Sequence, residues 1–450
     1  MNLHTMLTRR AADDNPVRVG VIGAGKFGSM YLSQAARTIG IHVVGIADLA
    51  PDRARAALAR VGWPETQYNA SSFDNARRDG TTFITDDAEA LIAAVDVVID
   101  ATGSPPAGVR HALLACEHGT HIVMVNVEAD VLAGPLLAER AAAAGIVYSM
   151  AYGDQPALIC ELVDWARSAG FDVVCAGKGT KYQPAFHAST PDTVWGYYGL
   201  TAEDAEVGGM NPQMFNSFLD GTKSGIEMAA VANATGLVAP RDGLAFPACG
   251  VQDLAHVLRP RADGGCLAEK GTVEVISSEE RDGRHVIGDL RWGVYVTFEA
   301  PSEYVERCFA EYGLVTDDTG RYSAIYKPFH LIGLELGISV ASAALRGEAT
   351  GAATGWRGDV VATAKRNLKA GEILDGEGGF TVWGKLMRAE DSLALGGLPI
   401  GLAHGLKLKT PIAEGQPLRW RDVEFDENDS TIAFRREMEA RDRRNVRAAE

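Results

Sequence analysis

A glycine-rich turn between a predicted strand and a predicted helix constrains this chain more than any other feature. Val17–Ile22 is an apolar, β-branched run typical of a buried strand, and residues 23–28 continue as G-x-G-x-x-G. The first glycine permits a tight turn, the second lets the backbone approach a pyrophosphate, and the third lets the next helix pack closely. The positive N-terminal end of that helix then faces the phosphates. The sequence therefore predicts a dinucleotide site.

An acidic residue in the expected place strengthens this prediction. Asp48 ends the next predicted strand, where a carboxylate can accept a hydrogen bond from a free ribose 2′-hydroxyl, which favours NAD. Arg53 and Arg55, one helical turn later, could instead hold the 2′-phosphate of NADP if Asp48 turns aside, so both cofactors stay open. The predicted cofactor-binding residues are Gly23, Gly25, Lys26, Phe27, Gly28, Asp48, Arg53, Thr102, Gly103 and Glu128.

The first third of the chain alternates strand and helix patterns, as parallel α/β sheets do. We predict an insertion at 62–80 that forms a loop or an extra helix. Thr102, Gly103 and Glu128 follow predicted strands, at the carboxyl edge where doubly wound sheets bind ligands. The predicted strands are 17–22, 42–48, 95–101, 121–127 and 146–149, and the predicted helices are 27–39, 51–60, 86–93, 106–117 and 132–143.

Changes in pattern along the chain predict three domains and a tail. Residues 1–151 should form an α/β Rossmann domain, and residues 152–354 an α+β domain for substrate binding and dimerisation, with a helix over 211–233. Short strands separated by glycine turns predict a small β-rich module at 355–425. The highly charged residues 426–450 should be a solvated helix or disordered.

Composition excludes several classes of protein. The net charge of −16, from 43 basic and 59 acidic residues, argues against nucleic-acid binding. Six cysteines without a C-x-x-C pair argue against a metal cluster or a disulfide framework, and they favour a reducing compartment. We find no leader peptide and no apolar stretch long enough to span a membrane, so we expect a cytoplasmic protein.

One cluster carries the chemistry expected of a catalytic site. Asp220, Lys223 and Glu227 lie at the start of a predicted helix rich in small residues. Lys223 and Glu227 are four residues apart and share one helix face, so they could simply be a surface pair. Because lysine before glutamate stabilises a helix poorly, we favour a catalytic role. Asn233, on the same predicted helix, needs a hydrogen-bond partner if it is buried.

Several cationic residues could bind a phosphorylated substrate. Lys178 and Lys181 follow a predicted strand among glycines, which permit close approach of a ligand. Arg241, Lys327 and His330 are further candidates, although each of them could be ordinary surface charge. An acidic protein that binds a phosphate needs such a local basic pocket. The sequence leaves the identity of any metal ligands unknown.

Taken together, these motifs resemble a known family. Residues 17–150 resemble the dinucleotide domain of the homoserine dehydrogenase-like oxidoreductases, and Asp220, Lys223 and Glu227 resemble their catalytic helix region. Residues 355–425, with L-K-A-G-E-I-L and G-L-P-I-G-L-A-H-G, resemble a SAF domain. With G-D-Q-P at 153–156 and K-G-T-K at 178–181, the pairing is similar to the DXR-like family, the second type of 1-deoxy-D-xylulose 5-phosphate reductoisomerase.

The resemblance implies a reaction and its requirements. A phosphorylated ketose would rearrange to a branched aldehyde, which NADPH would reduce to 2-C-methyl-D-erythritol 4-phosphate for isoprenoid synthesis. Lys178, Lys181 and Arg241 would hold the phosphate, Lys223 or a divalent ion (Mg²⁺ or Mn²⁺) would stabilise the oxyanion, and Asp220 or Glu227 would move protons. We find no carboxylate pattern like the metal site of first-type reductoisomerases. We expect NADP(H), with NAD(H) as the alternative, and a homo-oligomer, a dimer.

Two other functions stay open. One is a homoserine dehydrogenase-like or sugar-acid oxidoreductase with another carbonyl substrate, which needs no phosphate clamp. The other is a non-catalytic NAD(P)-binding sensor whose C-terminal module recognises a carbohydrate or a partner.

Overall fold

The protein folds into two compact units, each built from two stretches of the chain. In a computed structural model, the described residues are 2–207 and 210–449. One unit comprises Met1–Leu158 and His330–Thr354, and the other comprises Ile159–Phe329 and Gly355–Glu450. The predicted ranges 1–151 and 426–450 include Met1 and Glu450, which lie outside the described residues.

Strands and helices are numbered here in chain order. The strands are β1 (Val17–Ile22), β2 (Ile41–Ala47), β3 (Phe83–Thr85), β4 (Val97–Asp100), β5 (His121–Met124), β6 (Tyr148–Met150), β7 (Asp172–Thr180), β8 (Thr272–Ser277), β9 (Val294–Glu299), β10 (Tyr322–Lys327), β11 (Gly358–Ala364), β12 (Ile373–Asp375), β13 (Val382–Arg388), β14 (His404–Leu408) and β15 (Val423–Glu424). The helices are α1 (Leu3–Ala12), α2 (Lys26–Ala35), α3 (Pro51–Arg60), α4 (Phe73–Asp79), α5 (Ala88–Ile92), α6 (Pro105–His118), α7 (Val127–Ala144), α8 (Gln155–Ser168), α9 (Val194–Tyr198), α10 (Ala202–Val207), α11 (Pro212–Leu219), α12 (Thr222–Thr235), α13 (Leu254–Val257), α14 (Glu303–Glu311), α15 (Gly337–Arg346), α16 (Ala389–Leu395) and α17 (Ser430–Ala449).

The first unit contains a parallel six-stranded sheet in the order β3-β2-β1-β4-β5-β6. Its strands are buried because helices cover parallel sheets on both faces, and Val19, Ile99 and Val123 are fully inaccessible. This order reverses direction at β1 and β4, which is the topology of a doubly wound dinucleotide fold. The α/β fold predicted for this region is confirmed.

The predicted insertion at 62–80 contains one element that the sequence pattern revealed and is followed by one that it did not. Helix α4 is the extra helix, and Ser72 caps it by accepting the Asn75 N–H. The short strand β3 then pairs with β2 at the edge of the sheet. Three residues are too few to produce an alternating pattern, so the sequence did not predict this strand.

Residues 330–354, predicted to belong to the central domain, pack in the first unit. Helix α15 supplies Val340 and Ala341 to the same apolar cluster as the parallel sheet. The Ser339 hydroxyl accepts the Tyr152 N–H at 2.7 Å. The chain therefore returns to its first unit after β10, and the predicted central domain 152–354 is not one compact body.

The second unit contains a mixed sheet in the order β10-β9-β7-β8, in which β7 runs parallel to β8 and antiparallel to β9. Strands β11 and β13 form an antiparallel pair, and β12, β14 and β15 form a small sheet. The β-rich module expected near the C-terminus is confirmed.

Helix α12 lies between these two parts of the second unit. It contacts β7 and β8 on one side and β11 and β13 on the other. Small residues allow this close packing, because a Cβ at Gly384 would lie 2.9 Å from Thr222 Cγ2 and one at Gly358 would lie 3.1 Å from the Ala229 Cα. Asn233 Oδ1 accepts the Gly358 N–H at 2.9 Å, so the partner expected for this buried amide is the start of β11.

The helix predicted over 211–233 is broken in the middle. Helix α11 ends at Leu219 and α12 begins at Thr222. Gly221, between them, has φ of +91°, a left-handed conformation that glycine adopts without a steric penalty. The break allows α12 to begin in a new direction, with Asp220 at the junction.

The charged C-terminal segment is more ordered than its composition suggests. Helix α17 contains Arg435, whose side chain is fully buried. The guanidinium donates to both carboxylate oxygens of Asp359 on β11 and to Glu439. A charge can be buried when it is paired and hydrogen-bonded. The prediction of a solvated helix or disorder is therefore wrong for this helix around Arg435.

Within the described residues, no helix combines the length and the apolar composition needed to cross a bilayer.

Candidate active site

The glycine turn has the geometry that a bound dinucleotide requires. Gly23 has φ of +94°, and a Cβ there would lie 2.9 Å from the Ala101 carbonyl oxygen. Gly25 is the N-cap residue of α2, and as a glycine it places no side chain over the helix N-terminus. The space where its Cβ would stand is open. Gly28 packs against the Gly23 backbone. Because the N-terminus of α2 is open at this point, these residues fit a pyrophosphate.

Asp48 lies at the end of β2 and is held against the glycine turn. Its Oδ2 accepts the Ala24 N–H at 2.9 Å, and its Oδ1 accepts the Ala50 N–H at 2.9 Å and Arg53 Nη2 at 2.6 Å. Burial raises the pKa of Asp48, but these hydrogen bonds outweigh burial, and the pKa lies below its usual value. Asp48 is buried, whereas the Arg53 side chain is 63% exposed.

A hydrogen-bonded network covers the carboxyl ends of β4 and β5. The Thr102 N–H and hydroxyl donate to Asp100 Oδ1 at 2.9 and 2.6 Å, and His111 Nδ1 lies 2.6 Å from Asp100 Oδ2. Asn126 donates from Nδ2 to the Ser104 carbonyl at 2.8 Å. Asn126 is not among the predicted site residues, although an asparagine just before a helix is a typical N-cap.

The other predicted cofactor residues lie in the same unit. Lys26 is exposed at the first position of α2, and Phe27 packs partly against the core. Gly103 is exposed in the loop after β4, and Glu128 is half-buried in the first turn of α7. The first unit therefore contains the entire predicted cofactor set.

In the second unit, two of the predicted residues form a buried ion pair. Lys178 on β7 donates to the Glu227 carboxylate on α12, and both side chains are less than a tenth exposed. Gly177 and Gly179 flank Lys178, and neighbouring carbonyl groups occupy the places of their missing Cβ atoms. The glycines therefore serve close packing of the strand rather than ligand approach.

Strand register brings a second lysine to the same face of the sheet. Val294 on β9 is opposite Lys178 on β7 and also opposite Lys327 on β10. Side chains at directly opposed positions point to the same face, and adjacent strands lie about 5 Å apart. Lys327 therefore shares with Lys178 the face on which α12 packs.

Lys223 lies one turn before Glu227 on α12. Residues four apart share a helix face, so Lys223 and Glu227 lie on the same side of α12. The Lys223 side chain is half-buried, whereas that of Glu227 is buried. Lys178, Lys223, Glu227 and Lys327 are called here the lysine–glutamate cluster.

Lys181 lies three residues beyond Lys178 and is engaged by other groups. Its ammonium lies 3.2 Å from the Glu279 carboxylate and donates to the Tyr197 carbonyl at 2.8 Å. The side chain keeps 19% of its surface exposed. A phosphate at this ammonium would have to compete with the Glu279 carboxylate.

Asp220 has surroundings different from those of Glu227. Asp220 is fully buried. Lys365, in the loop after β11, places its ammonium 2.8 Å from Asp220 Oδ2. Lys365 also donates to the Ser189 and Gly379 carbonyls at 2.8 and 2.7 Å. Burial raises the pKa of Asp220, and Lys365 partly counteracts this effect. These contacts hold Asp220 in place at the start of α12, and a catalytic role for it stays a prediction.

The two remaining substrate-binding candidates are not on the elements that carry the cluster. Arg241 is exposed in the loop after α12. His330 is half-buried at the start of the segment that belongs to the first unit. The second unit therefore brings Lys178, Lys327, Lys223 and Glu227 onto facing surfaces, but it does not bring Arg241 into direct contact with them by any described hydrogen bond or ion pair.

Three known protein families match successive parts of the chain. The NAD-binding domain of homoserine dehydrogenase matches residues 19–149, the catalytic domain of oxidoreductase DRL matches residues 153–336, and the SAF domain matches residues 359–424. The chain is an NAD(P)-dependent oxidoreductase. The SAF match agrees with the small module predicted in this region of the oxidoreductase.

Solved structures resemble the oxidoreductase over part of its length. UDP-N-acetylglucosamine 3-dehydrogenase from Acidithiobacillus ferrooxidans is 19% identical, with a TM-score of 0.25 over 38% of this chain and 49% of that protein. 1-deoxy-D-xylulose 5-phosphate reductoisomerase from Zymomonas mobilis, in complex with NADPH, is 18% identical, with a TM-score of 0.33 over 47% of this chain and 57% of that protein. Homoserine dehydrogenase from Thiobacillus denitrificans is 19% identical, with a TM-score of 0.36 over 50% of each chain.

The oxidoreductase spans about half the length of these three structures. A comparison with curated proteins finds no match. Among the described residues of the oxidoreductase, no group of three or more histidine, cysteine, aspartate or glutamate side chains is placed to hold a metal ion.

Proposed function

We propose that the protein is an NADPH-dependent reductoisomerase that converts 1-deoxy-D-xylulose 5-phosphate to 2-C-methyl-D-erythritol 4-phosphate. The observation that supports this proposal is the lysine–glutamate cluster. Three lysines and one carboxylate gather on facing surfaces of α12 and the β7–β9–β10 sheet, in a protein whose net charge is −16. A local excess of positive charge suits a phosphorylated substrate.

The glycine turn, Asp48 and Arg53 would hold the cofactor, with Thr102, Gly103 and Glu128 around the nicotinamide half. The cofactor, when bound, supplies the hydride that reduces the carbonyl group. Arg53 is largely exposed beside Asp48, and a guanidinium suits a 2′-phosphate because it donates two parallel hydrogen bonds. This supports NADP(H), whereas the retained carboxylate of Asp48 supports NAD(H) as the alternative.

The cluster also offers the groups that the rearrangement needs. Lys223 would stabilise the oxyanion that develops on the substrate carbonyl, because an ammonium in a water-poor site strongly stabilises such a charge. Glu227 would accept and return the hydroxyl proton, and Lys178 would hold its carboxylate in position. Lys327 and Lys181 would bind the phosphate, with Arg241 and His330 as further candidates.

The test is a direct assay with purified protein, NADPH, Mg²⁺ or Mn²⁺, and 1-deoxy-D-xylulose 5-phosphate. We expect loss of the reduced-nicotinamide absorbance only when the ketose phosphate is present, with the branched polyol phosphate as product. Dephosphorylated 1-deoxy-D-xylulose is the matched control substrate. Cofactor binding without turnover of the ketose phosphate would reject the reductoisomerase proposal.

A second candidate is a dehydrogenase of homoserine or a sugar acid. Asp48, which favours NAD(H), and the engagement of Lys181 by Glu279 support this alternative. NADH oxidation or NAD⁺ reduction with an unphosphorylated substrate would favour it. Binding of cofactor with no turnover of any carbonyl substrate would instead favour the NAD(P)-binding sensor.

The assembly and the compartment belong to the same proposal. We propose a cytoplasmic homodimer that uses Mg²⁺ or Mn²⁺ with its substrate. Light scattering after size-exclusion chromatography would report twice the 47.8 kDa chain mass for a dimer. A monomer at micromolar concentration would contradict this part.

A further inference from the structure

A cavity of about 250 Å³ lies on the other side of α12 from the lysine–glutamate cluster. It opens between the start of α12 and strand β13, and it belongs entirely to the second unit. Its lining residues include Gly221, Gly225, His187, Phe246, Trp383 and Lys385. Gly221 and Gly225 are four apart, whereas Lys223 and Glu227 project from the opposite face of the helix. The cavity is therefore a separate feature from the proposed active site.

Two opposite charges line this cavity without neutralising each other. Lys385 on β13 and Asp242 in the loop after α12 both contribute to the lining. Among residues 2–207 and 210–449, neither side chain forms a hydrogen bond or an ion pair. Lys385 is nevertheless half-buried, and a Cβ at Gly243 would lie 3.1 Å from its Cε. A half-buried ammonium with no acceptor is suited to an anionic ligand.

The walls of the cavity are aromatic, and stacking and hydrogen bonds join their rings to neighbouring groups. His187 stacks on Trp383 with ring centroids 3.9 Å apart, and Tyr182 stacks on Phe246, also at 3.9 Å. His187 Nδ1 donates to the Asp220 carbonyl, and its Nε2 accepts from the Tyr182 hydroxyl. Burial lowers the pKa of His187, so the ring is neutral and available as a flat wall. Flat aromatic walls suit the carbon skeleton of a small metabolite.

One wall residue has a strained backbone that other groups maintain. Phe246 has φ of +50°, which a bulky residue rarely adopts. The buried Glu274 accepts the N–H groups of Ala245 and Phe246, and Arg281 donates to the carbonyls of the same two residues. Strain of this kind persists where surrounding groups enforce it, and it is concentrated at ligand sites.

We propose that this cavity binds a small organic anion whose carbon skeleton carries hydroxyl or ammonium groups. Lys385 binds the anionic group, with the positive N-terminal end of α12 beside it. Asp242 accepts hydrogen bonds from the hydroxyl or ammonium groups, and Trp383 and Phe246 pack against the skeleton. This proposal does not depend on the reductoisomerase reaction, because it concerns other residues on another face of α12.

Calorimetric titration of the full-length protein, without cofactor or substrate, tests the proposal. The probes are D-gluconate, L-serine and glycerol 3-phosphate, with uncharged D-sorbitol as the control. We expect one of the anions to bind with one site per chain, and Lys385→Gln to weaken that binding by about tenfold or more. Lys369→Gln, an exposed lysine of the same module, is the matched control and should bind like the wild type.

A second variant, at an exposed residue, distinguishes a ligand with an ammonium group from a ligand with hydroxyl groups. Asp242 is exposed, so Asp242→Asn should fold normally. It should weaken L-serine binding strongly, because the ammonium loses its counter-charge, and D-gluconate binding only slightly, because an amide oxygen still accepts hydroxyl protons. The proposal is overturned if no anion binds at millimolar concentration, or if Lys385→Gln binds as well as the wild type. It is also overturned if Lys223→Ala abolishes binding while Lys385→Gln does not.

Discussion

Two buried pairs of an acid and a lysine lie at α12, and they differ in what surrounds them. In the pair of Asp220 and Lys365, the ammonium also donates to two backbone carbonyls, and the carboxylate also accepts the Thr222 N–H. In the pair of Glu227 and Lys178, two further lysines lie on the same facing surfaces. The first pair is surrounded by neutral backbone groups, whereas the second belongs to a concentration of charge.

This difference teaches that residue type and spacing alone do not identify a catalytic acid. Asp220 and Glu227 are seven residues apart in a sequence that suggested a shared role. Asp220 is fully inaccessible and fastens the start of α12 to the loop after β11. Glu227 instead faces the mixed sheet of the second unit, where it contacts Lys178 on β7. The predictions below are ordered from the largest expected effect to the smallest.

The largest effect should follow from breaking the first pair. Lys365→Met leaves the Asp220 carboxylate buried without a counter-charge, which typically costs about 3–5 kcal/mol of unfolding free energy. Thermal unfolding should show a lower midpoint, with turnover per folded molecule retained. Adding Asp220→Asn removes the uncompensated charge and should recover most of the loss. If Lys365→Met alone is as stable as the wild type, the positioning role of Lys365 is refuted.

Breaking the charge concentration should affect the reaction instead of the fold. Lys223→Ala removes the group proposed to stabilise the oxyanion, and we expect turnover to fall by about 10²–10³-fold. Cofactor binding and the unfolding midpoint should stay unchanged, since Lys223 is only half-buried. Lys369→Ala is the control for loss of a lysine. Unaltered turnover in Lys223→Ala would remove this residue from the mechanism.

A buried acid without a lysine sharpens the same comparison. Burial raises the pKa of Glu274 to about 7, although the Val275, Ala245 and Phe246 N–H groups and Arg281 lower it. The folded protein therefore keeps a proton that the unfolded chain has released, and stability should fall as pH rises from about 4.5 to 7. The loss is on the order of 3 kcal/mol at most.

Urea unfolding at several pH values measures this dependence. Glu274→Gln has no proton to release and should flatten the curve across that range. Asp282→Asn, which removes an exposed carboxylate nearby in the chain, should leave the slope unchanged. A slope that persists in Glu274→Gln would assign the pH dependence to another group.

The smallest effect concerns Asp48, a buried acid whose basic partner, Arg53, is exposed. If Arg53 binds a 2′-phosphate, Arg53→Ala should raise the KM for NADPH about tenfold, close to the energy of one charged hydrogen bond. The KM for NADH should barely change, because NADH lacks that phosphate. Arg78→Ala, which removes an exposed arginine of α4 outside the predicted cofactor site, is the control. Equal changes for both cofactors would show that Arg53 acts only on Asp48.

Much of the first unit was predictable because its signals are local. The glycine turn, the β-branched strands and the proline at the start of α3 each restrict their own backbone conformation. Strand β3 was not predictable, because an edge strand of three residues carries almost no pattern. Nor was the return of α15, because an apolar helix pattern does not specify which core the helix joins.

The site was predictable only in its residue types. Lys178 and Lys327 are 149 positions apart, and only strand register shows that both flank Val294. Lys365, the partner of Asp220, lies in a module whose sequence gave no sign of contact with the start of α12. Arg435 likewise seemed one more charge in a polar tail, because its partner Asp359 is distant in sequence. Burial of a charge depends on such distant partners.

The glycine contacts around α12 bear on how this protein can evolve. Gly384 and Gly358 of the module touch the same helix that carries Lys223 and Glu227. A module taken from a relative with larger residues at these two places would push that helix away from β7. The C-terminal module and α12 should therefore be inherited together, and a chimera that exchanges one without the other should lose the proposed reaction while still binding the dinucleotide.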